Sequence, residues 1–495
     1  MKTLERYQLA LLGVLIAAWA SVVLSDHFFT DPDSYFHVGV ARRMIEDGWL
    51  RQFDWLPYTT LHDPFPDLYL GQHAVLVPFV ALFGVELGLR LAIMTLSTAF
   101  ALSLHLVLRR RGVRWPAPWI VLALLGCPLA LTYSIFLKGA STFLVLLPWF
   151  VDAVWSGAWR RTFVLAWLSV YVYVGATVLV PFAVVHLVVE RWWHGRWDHR
   201  CVVATLAGLV AGMLINPLWP AHWGYVLAEL RSIFTQHPAM VPGEYRGAEW
   251  AALTGEALVR LAGVALAAWF VVLVRQLGRA HRVSAEAASG AIAALGLLGA
   301  GLLSGSKLVE LFIVFSILAL PLLAREMRPW SRWIVVPAVA IAIAAATWAV
   351  GDLRTQMRRD GLARPGDYAI MASWLGERTE PREMIIAPWD DMPGLFAFGG
   401  DQRYVAGLNV QFLADQDRLR FEAYALLYRG VISDPEQTLV QFFDGARFIL
   451  VRRIAHLPGE PALTERLRRN PAFEELAAPT PVWRVFRRHG APRTP

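Results

Sequence analysis

The chain has 495 residues, room for roughly three domains at about 150 residues each. Hydrophobic residues make up 56% and charged residues 17%, with 22 Trp, against roughly 45–50% apolar and about 25% charged in soluble domains, which excludes a disordered chain, a fibrous repeat and an ordinary cytosolic enzyme. The composition implies a polytopic membrane protein whose net charge of +7 reflects cytoplasmic Lys/Arg loops rather than nucleic-acid binding, and its two cysteines, Cys127 and Cys201, cannot build a disulfide framework or a thiolate metal cluster.

Crossing a bilayer takes about 20 mostly apolar residues. Such runs fall at 8–25, 88–108, 116–134, 136–157, 162–175, 177–190, 201–216, 257–277, 287–304, 306–324 and 333–350, which predicts about 11 transmembrane helices. The run 73–86 is apolar but short and broken by Pro78, and is expected to lie as a helix at the interface. Ala18-Trp19-Ala20 would serve as a small-x-small cleavage site, yet the apolar run continues past it, so the first helix is expected to be kept. Basic clusters stand at Lys2/Arg6, Arg109–Arg111/Arg114, Arg160/Arg161, Arg191/Arg196/Arg200, Arg275/Arg279/Arg282 and Arg325/Arg328/Arg332, each separated from the next by an even number of helices. The opposite loops, 26–87 and 217–256, hold only Arg42, Arg43, Arg51, Arg231 and Arg246. Basic residues collect on the cytoplasmic side, so the N-terminus is expected inside and the C-terminus outside.

The expected organisation is a transmembrane domain over 1–350, with outer loops 26–87 and 217–256, followed by an extracytoplasmic α/β domain over 351–495. In the tail charges return and apolar runs shorten to strand length at 384–387, 447–451 and 482–486, alternating with helical stretches near 367–378, 415–429, 434–443 and 462–469.

The first outer loop carries the strongest chemical signal. Residues 26–73 hold eight acids (Asp26, Asp31, Asp33, Glu46, Asp47, Asp54, Asp63 and Asp67) against three basic residues. Asp31-Pro32-Asp33-Ser34-Tyr35-Phe36-His37 follows the first helix directly. Carboxylates two apart can share a divalent cation or hydrogen-bond an acceptor, and Pro32 stiffens the backbone between them. His37 shares a face with Asp33 if the stretch is helical, and Asp63, Asp67 and His73 can converge on the same spot. The competing reading makes Asp31 a helix N-cap and the remaining acids a solvated surface.

Asp33-Ser34-Tyr35-Phe36-His37, then Ala41-Arg42-Arg43-Met44-Ile45 and Gly48, then Phe53-Asp54, is similar to the first external loop of oligosaccharyltransferase catalytic subunits, members of the GT-C superfamily of membrane glycosyltransferases. In them an Asp-x-Tyr-Tyr/His element follows the first transmembrane helix and its Asp is catalytic; Asp33 holds the matching position. Leu82-Phe83-Gly84 through Leu89-Arg90, ending in Arg109–Arg111, resembles the GT-C pattern after that loop. In the tail, Ala387-Pro388-Trp389-Asp390-Asp391 follows a short strand as the Trp-Trp-Asp acceptor motif does, with Trp389 and Asp390 matching. The resemblance implies a substrate-binding role for Trp389, Asp390 and Asp391.

Oligosaccharyltransferases complete a metal site with a second acidic pair in the next outer loop, and here that stretch, Tyr133 to Thr142, has Lys138 and no acid. Two possibilities stay open. Asp31, Asp33, Asp67 and His73 hold Mg2+ or Mn2+, or the reaction is metal-independent, as in relatives that use polyprenyl monophosphate sugars.

Four cations, Arg90, Lys138, Arg260 and Lys307, lie in apolar segments and are expected near the outer ends of their helices. Charges in membrane segments are costly and mark pathways or sites, with snorkelling as the alternative. A lipid phosphate needs such partners. Glu310 stands one turn after Lys307, close enough for a local ion pair. Loop 217–256, with Trp219, His222, Trp223, Glu229, His237, Glu244, Tyr245, Glu249 and Trp250, is either a gate or an aromatic belt.

Together these features suggest a membrane glycosyltransferase that takes a sugar from a polyprenyl-phosphate donor to a glycan, lipid or protein acceptor outside the membrane by inverting displacement. Asp33, supported by Asp31 and His37, is the expected catalytic group. A transporter or lipid-handling protein without catalysis, or an inactive GT-C scaffold, is the alternative; the inverted repeats common in transporters are not seen. Abundant Arg, Ala and Trp with no organellar signal point to a bacterial inner membrane.

Overall fold

The computed structural model describes residues 2–28, 30–126, 128–220, 222–227, 283–304, 309–326, 347–348, 350–351, 355, 363–454 and 459–489. The chain divides into two compact units, each discontinuous in sequence: Met1–Ser25, Leu68–Gln72 and Ile93–Thr355 form one, and Asp26–Asp67, His73–Ala92 and Gln356–Pro495 the other. Most of the first outer loop, which the sequence reading attached to the membrane part, therefore groups with the tail.

The first unit is helical. It holds α1 (Lys2–Val23), the distal part of α3 (Leu70–Arg110), α4 (Pro116–Gly126), α5 (Pro128–Ile135), α6 (Ser141–Trp155), α7 (Trp159–Val172), α8 (Leu179–His194), α9 (Arg200–Ile215), α10 (Ala285–Ser304) and α11 (Val309–Glu326). Among the described residues, Glu5–Val23, Leu70–Arg110 and Val174–His194 are long and apolar enough to cross a membrane. Five shorter apolar helices accompany them. The expected run 116–134 is divided into α4 and α5, the second opening at Pro128, where a missing N–H costs a helix nothing. The runs 257–277 and nearly all of 333–350 lie outside the described residues.

Helices α7 and α9 pack side by side because α9 turns glycines toward its neighbour. A Cβ on Gly208 would stand 2.5 Å from the carbonyl oxygen of Phe163, and one on Gly212 would stand 3.0 Å from that of Trp167. Small residues of this kind let helix backbones approach where lipid supplies no hydrophobic drive.

Basic residues from separate clusters converge at one end of this unit. Buried Asp152 pairs with Arg111 at 2.7 Å, Arg161 at 3.2 Å and Arg110 at 3.6 Å. Arg109 pairs with Glu5 at 3.1 Å, and Arg325 donates to the carbonyl of Arg111. The clusters that sequence parity assigned to one side thus share partners.

The second unit contains α2 (Pro32–Asp47), α3 from His73 to Ala92, and the tail: α12 (Pro365–Gly376), β1 (Met384–Ile386), α13 (Met392–Phe398), β2 (Arg403–Tyr404), α14 (Gln411–Gln416), α15 (Arg418–Tyr428), α16 (Pro435–Phe442), β3 (Phe448–Arg452), α17 (Glu460–Arg469), β4 (Phe473–Leu476) and β5 (Trp483–Arg488). One sheet runs in the order β2-β1-β3-β5-β4. β1 pairs parallel with β2 and β3, while β5 pairs antiparallel with β3 and β4. β1 and β3 are buried at every residue, as continuous apolar runs must be when both faces are covered. Tyr424 and Tyr428 of α15 tie helix to sheet by donating to the carbonyls of Ala387 and Leu450, both at 2.9 Å.

α2 packs on α13. The approach depends on Gly39, where a Cβ would lie 2.6 Å from the Phe396 ring and 3.1 Å from Ala397 Cα. Arg42 donates to the carbonyls of Phe396 at 3.1 Å and Gly399 at 2.5 Å. Arg43 donates to Gly400, pairs with Asp401 at 3.2 Å and stacks 4.6 Å above the Trp55 ring. The basic pair of the Ala41-Arg42-Arg43 stretch thus caps backbone carbonyls of the tail and fixes α2 in this unit.

Candidate active site

The start of α2 follows from its sequence. Asp31 stands at the N-cap in extended backbone, and its Oδ1 accepts from the Ser34 backbone N–H at 3.0 Å and from Ser34 Oγ at 2.7 Å. Thr30 Oγ1 donates to Ser34 Oγ at 2.6 Å. Pro32 occupies the first helical position, where its fixed φ suits the helix. The capping reading of Asp31 is the one realised, and it sets Asp33 in the first turn, half-buried, where the helix dipole favours a negative charge.

One turn further along α2, His37 is 2% exposed and faces His73, which is wholly buried in α3. His37 Nδ1 and His73 Nε2 are 2.8 Å apart, and His73 Nδ1 lies 2.8 Å from Asp67 Oδ2. Three sequence-predicted residues thus form a buried series: carboxylate, imidazole, imidazole. The Phe36 ring walls this series, 5.7 Å from His37 and 6.1 Å from His73 by centroids.

The expected divalent-cation set of Asp31, Asp33, Asp67 and His73 is partly committed to other contacts. Both His73 nitrogens are engaged within the series, so the ring has no lone pair for a metal, and Asp31 Oδ1 is spent on the cap. Among the described residues, no group of three or more His, Cys, Asp or Glu side chains is arranged to hold a metal ion.

Tyr35 is 1% exposed and its hydroxyl has no hydrogen-bond partner among the described residues. Its ring meets Tyr368 edge-on at 5.0 Å. Burial pushes its hydroxyl pKa well up, with Glu86 and Asp31 adding to the rise and Arg90 opposing it, so the hydroxyl stays protonated. Sequence reading passed over Tyr35 as a site residue although it lies inside the quoted motif; an orphaned hydroxyl leaves no mark in a sequence. Arg90 of α3 pairs with Glu86 at 2.8 Å and lies 5.0 Å over the Phe28 ring. Upstream, Gly84 breaks α3 with φ 73°, a left-handed value that glycine tolerates.

Lys138 belongs to the first unit, and its placement corrects the expectation of a helical position. It sits in the connection between α5 and α6. There its backbone N–H donates to Ser141 Oγ at 3.0 Å and its carbonyl accepts from Gln72 Nε2 at 2.8 Å. Gln72 Oε1 in turn accepts from the Thr142 N–H at 3.3 Å. Arg260, Lys307 and the side chain of Glu310 lie outside the described residues, as does most of loop 217–256.

The tail motif also reads differently in three dimensions. Asp391 is fully buried and accepts four hydrogen bonds: from Arg452 Nε at 3.0 Å and Nη2 at 2.5 Å, from the Tyr368 hydroxyl at 2.8 Å, and from Trp483 Nε1 at 2.8 Å. It is a core anion with no face open to an acceptor, which corrects the substrate-binding expectation for this residue. Asp390 stands 3.5 Å from Arg452 and is 8% exposed. Trp389 is half-buried. Burial lowers the Arg452 pKa, but Asp391 and Asp390 outweigh it, so the guanidinium stays charged.

No family model matches the chain, and no curated protein matches it in sequence. Solved structures do match in fold. The chain superposes on ArnT from Cupriavidus metallidurans bound to undecaprenyl phosphate with TM-score 0.62 and 15% identity, over 99% of each chain. The apo form of the same protein gives 0.62 and 16% over 97% of this chain and 98% of that one. The oligosaccharyltransferase AglB from Archaeoglobus fulgidus, in complex with an inhibitory peptide and a dolichol-phosphate, gives 0.55 and 11% over 99% of this chain and 74% of that one. The chain shares the fold of these proteins: a part built of apolar helices followed by a C-terminal α/β region.

Proposed function

We propose that the protein is a membrane glycosyltransferase that moves a sugar from a polyprenyl-phosphate-linked donor to a glycan, lipid or protein acceptor on the outer face of the membrane. The supporting observation is a fold shared nearly end to end with one protein that holds undecaprenyl phosphate, and with 74% of an oligosaccharyltransferase that holds dolichol-phosphate, combined with an acid, Asp33, set at the start of α2 by a capped turn. Asp33 orients the acceptor and favours its attack on the anomeric carbon in one inverting displacement. Arg90, Lys138, Arg260 and Lys307 neutralise the charge that grows on the phosphate as the sugar leaves. Trp389 and Asp390 belong to the acceptor side. Transfer proceeds with or without a divalent cation; His73, engaged at both ring nitrogens, is not one of its ligands.

In this reading the chain has about 11 spans, with the N-terminus cytoplasmic and the α/β unit outside a bacterial inner membrane; the convergence of Arg109–Arg111, Arg161 and Arg325 supports that side assignment. The test is the lipid pool. Cells deprived of the protein should accumulate a polyprenyl-phosphate-linked sugar. An unchanged pool would refute the donor assignment.

A further inference from the structure

Helices α8 and α9 turn apolar stripes outward. Val184, Val188 and Trp192 are exposed at four-residue spacing on α8, and Val203, Leu206, Val210 and Leu214 are exposed along one face of α9. Between the two stripes, residues 191–200 are exposed at every position and hold Trp192, Trp193 and Trp197 beside Arg191, Arg196 and Arg200. Trp192 is 82% and Trp197 61% exposed. The connection is fixed by its own hydrogen bonds. Gly195 takes φ 68°, its N–H donates to the Arg191 carbonyl at 3.0 Å, and Arg191 Nη1 donates to the Gly195 carbonyl at 2.9 Å. Asp198 accepts from the Arg200 N–H at 3.1 Å. Thr162 Oγ1 donates to Cys201 Sγ at 3.8 Å, so the first turns of α7 and α9 lie side by side and bring exposed Trp159 and Arg160 to the same end. Residues 159–161 and 190–200 together hold five arginines against Glu190 and Asp198, a net +3. Arg161 is taken up by Asp152, but among the described residues Arg160 and Arg196 pair with no acid.

We propose that this end of the helical unit binds the phosphate headgroups of anionic bilayer phospholipids; this rests on the membrane location in the reading above. Open apolar stripes meet hydrocarbon, and the stripe of α8 ends on the Trp192 ring. Indoles settle where acyl chains give way to headgroups, because the ring is apolar and its N–H needs a partner. Trp192 and Trp197 enter that boundary, and Arg160, Arg196 and Arg200 face the phosphates. A guanidinium grips a phosphate through two parallel N–H donors. The surplus of positive charge selects a headgroup of net negative charge over a zwitterionic one, whose own cation repels the arginines. The occupant is a lipid of the bilayer itself and not the sugar donor, which in the reading above reacts at the outer face, whereas this end carries basic clusters assigned to the cytoplasmic side.

Two measurements on the full-length protein test this. In nanodiscs of phosphatidylcholine and phosphatidylglycerol, nitroxides are attached through Trp197→Cys and, separately, Leu206→Cys, each in a Cys127→Ser/Cys201→Ser background. Their depth is read from relaxation by oxygen against relaxation by a water-soluble nickel chelate. Residue 206 should lie in hydrocarbon and residue 197 at headgroup depth. A label at 206 bathed in water defeats the membrane reading itself. A label at 206 in hydrocarbon with 197 in bulk water, or with 197 shielded from both reagents as beneath a second protein, overturns the inference alone. Native mass spectrometry of detergent-solubilised protein then compares added phosphatidylglycerol with added phosphatidylcholine. Wild type should prefer phosphatidylglycerol, and Arg160→Gln/Arg196→Gln/Arg200→Gln should lose about 10–100-fold in affinity for it, up to roughly a factor of five for each arginine. Arg378→Gln/Arg469→Gln, which removes exposed charge from the α/β unit, should keep the preference. Equal binding of the two lipids by wild type, a preference that survives in the triple variant, or an equal loss in the α/β variant overturns the inference.

Discussion

Replacing Asp391 with Asn keeps the side-chain volume while removing the charge that four donors share. Arg452, 7% exposed, would be left as a buried guanidinium whose two nearest hydrogen bonds have lost their anion. Removing one partner of a buried ion pair costs about 3–5 kcal/mol. The amide also faces the Tyr368 hydroxyl and the Trp483 indole with half the accepting capacity, so at least one donor is stranded, for about 1 kcal/mol more. Asp390, 3.5 Å from Arg452 Nη2, remains to recover part of this loss. The expected net is about 4 kcal/mol for Asp391→Asn and about 1 kcal/mol for Asp390→Asn, with Asp391→Leu/Arg452→Met still costing about 2–4 kcal/mol, because the Tyr368 hydroxyl and the Trp483 indole lose their acceptor and Asp390 its cation. Hydrogen exchange of the β3 and α12 amides in full-length protein reads the change directly. Exchange in Asp391→Asn equal to wild type, with weakened acceptor binding instead, would refute the structural role and return Asp391 to the acceptor site.

Two further outcomes follow from packing and capping. Gly39→Ala should loosen α2 from α13 by about 1–3 kcal/mol, since its methyl meets the Phe396 ring at 2.6 Å; an unchanged thermal midpoint would contradict the close approach. The Asp417 carboxyl is held below the ordinary carboxylate range first by the Arg420 backbone N–H, with the Arg420 side chain adding to that, and it caps α15. A depressed folded pKa places this stabilisation above the ordinary value of about 4, to be lost as pH falls through the folded value. Protection of the first α15 amides should therefore fade below about pH 4 in the wild type and stay constant with pH in Asp417→Asn, whose amide still caps.

Much of this architecture is legible in the sequence because bilayers demand long apolar runs and sheets covered on both faces demand short ones. The runs 201–216 and 287–304 correspond to α9 and α10, and 384–387, 447–451 and 482–486 to β1, β3 and β5. β2 and β4 escaped notice: the first has two residues, and the second, Phe473–Leu476, carries two acids on a sheet edge. Asp391 misled because an acid beside a Trp reads as surface chemistry until Arg452, 61 residues later, is seen to bury it. His37 and His73 each stood out by type, but their contact joins positions 36 apart, a separation no helical or strand periodicity encodes. Lys138 looked intramembrane because apolar residues flank it, whereas α5 ends at Ile135 and α6 begins at Ser141, and Gly139 beside it lets the Tyr69 ring pack close to the connection.

The assignment of Asp33 to the reacting centre is tested most directly by purified Asp33→Asn protein in nanodiscs, supplied with undecaprenyl phosphate carrying a labelled sugar and a membrane extract as acceptor. The variant should retain the lipid yet transfer no label, while wild type binds the lipid and transfers the label. Turnover at the wild-type rate in the variant would contradict it.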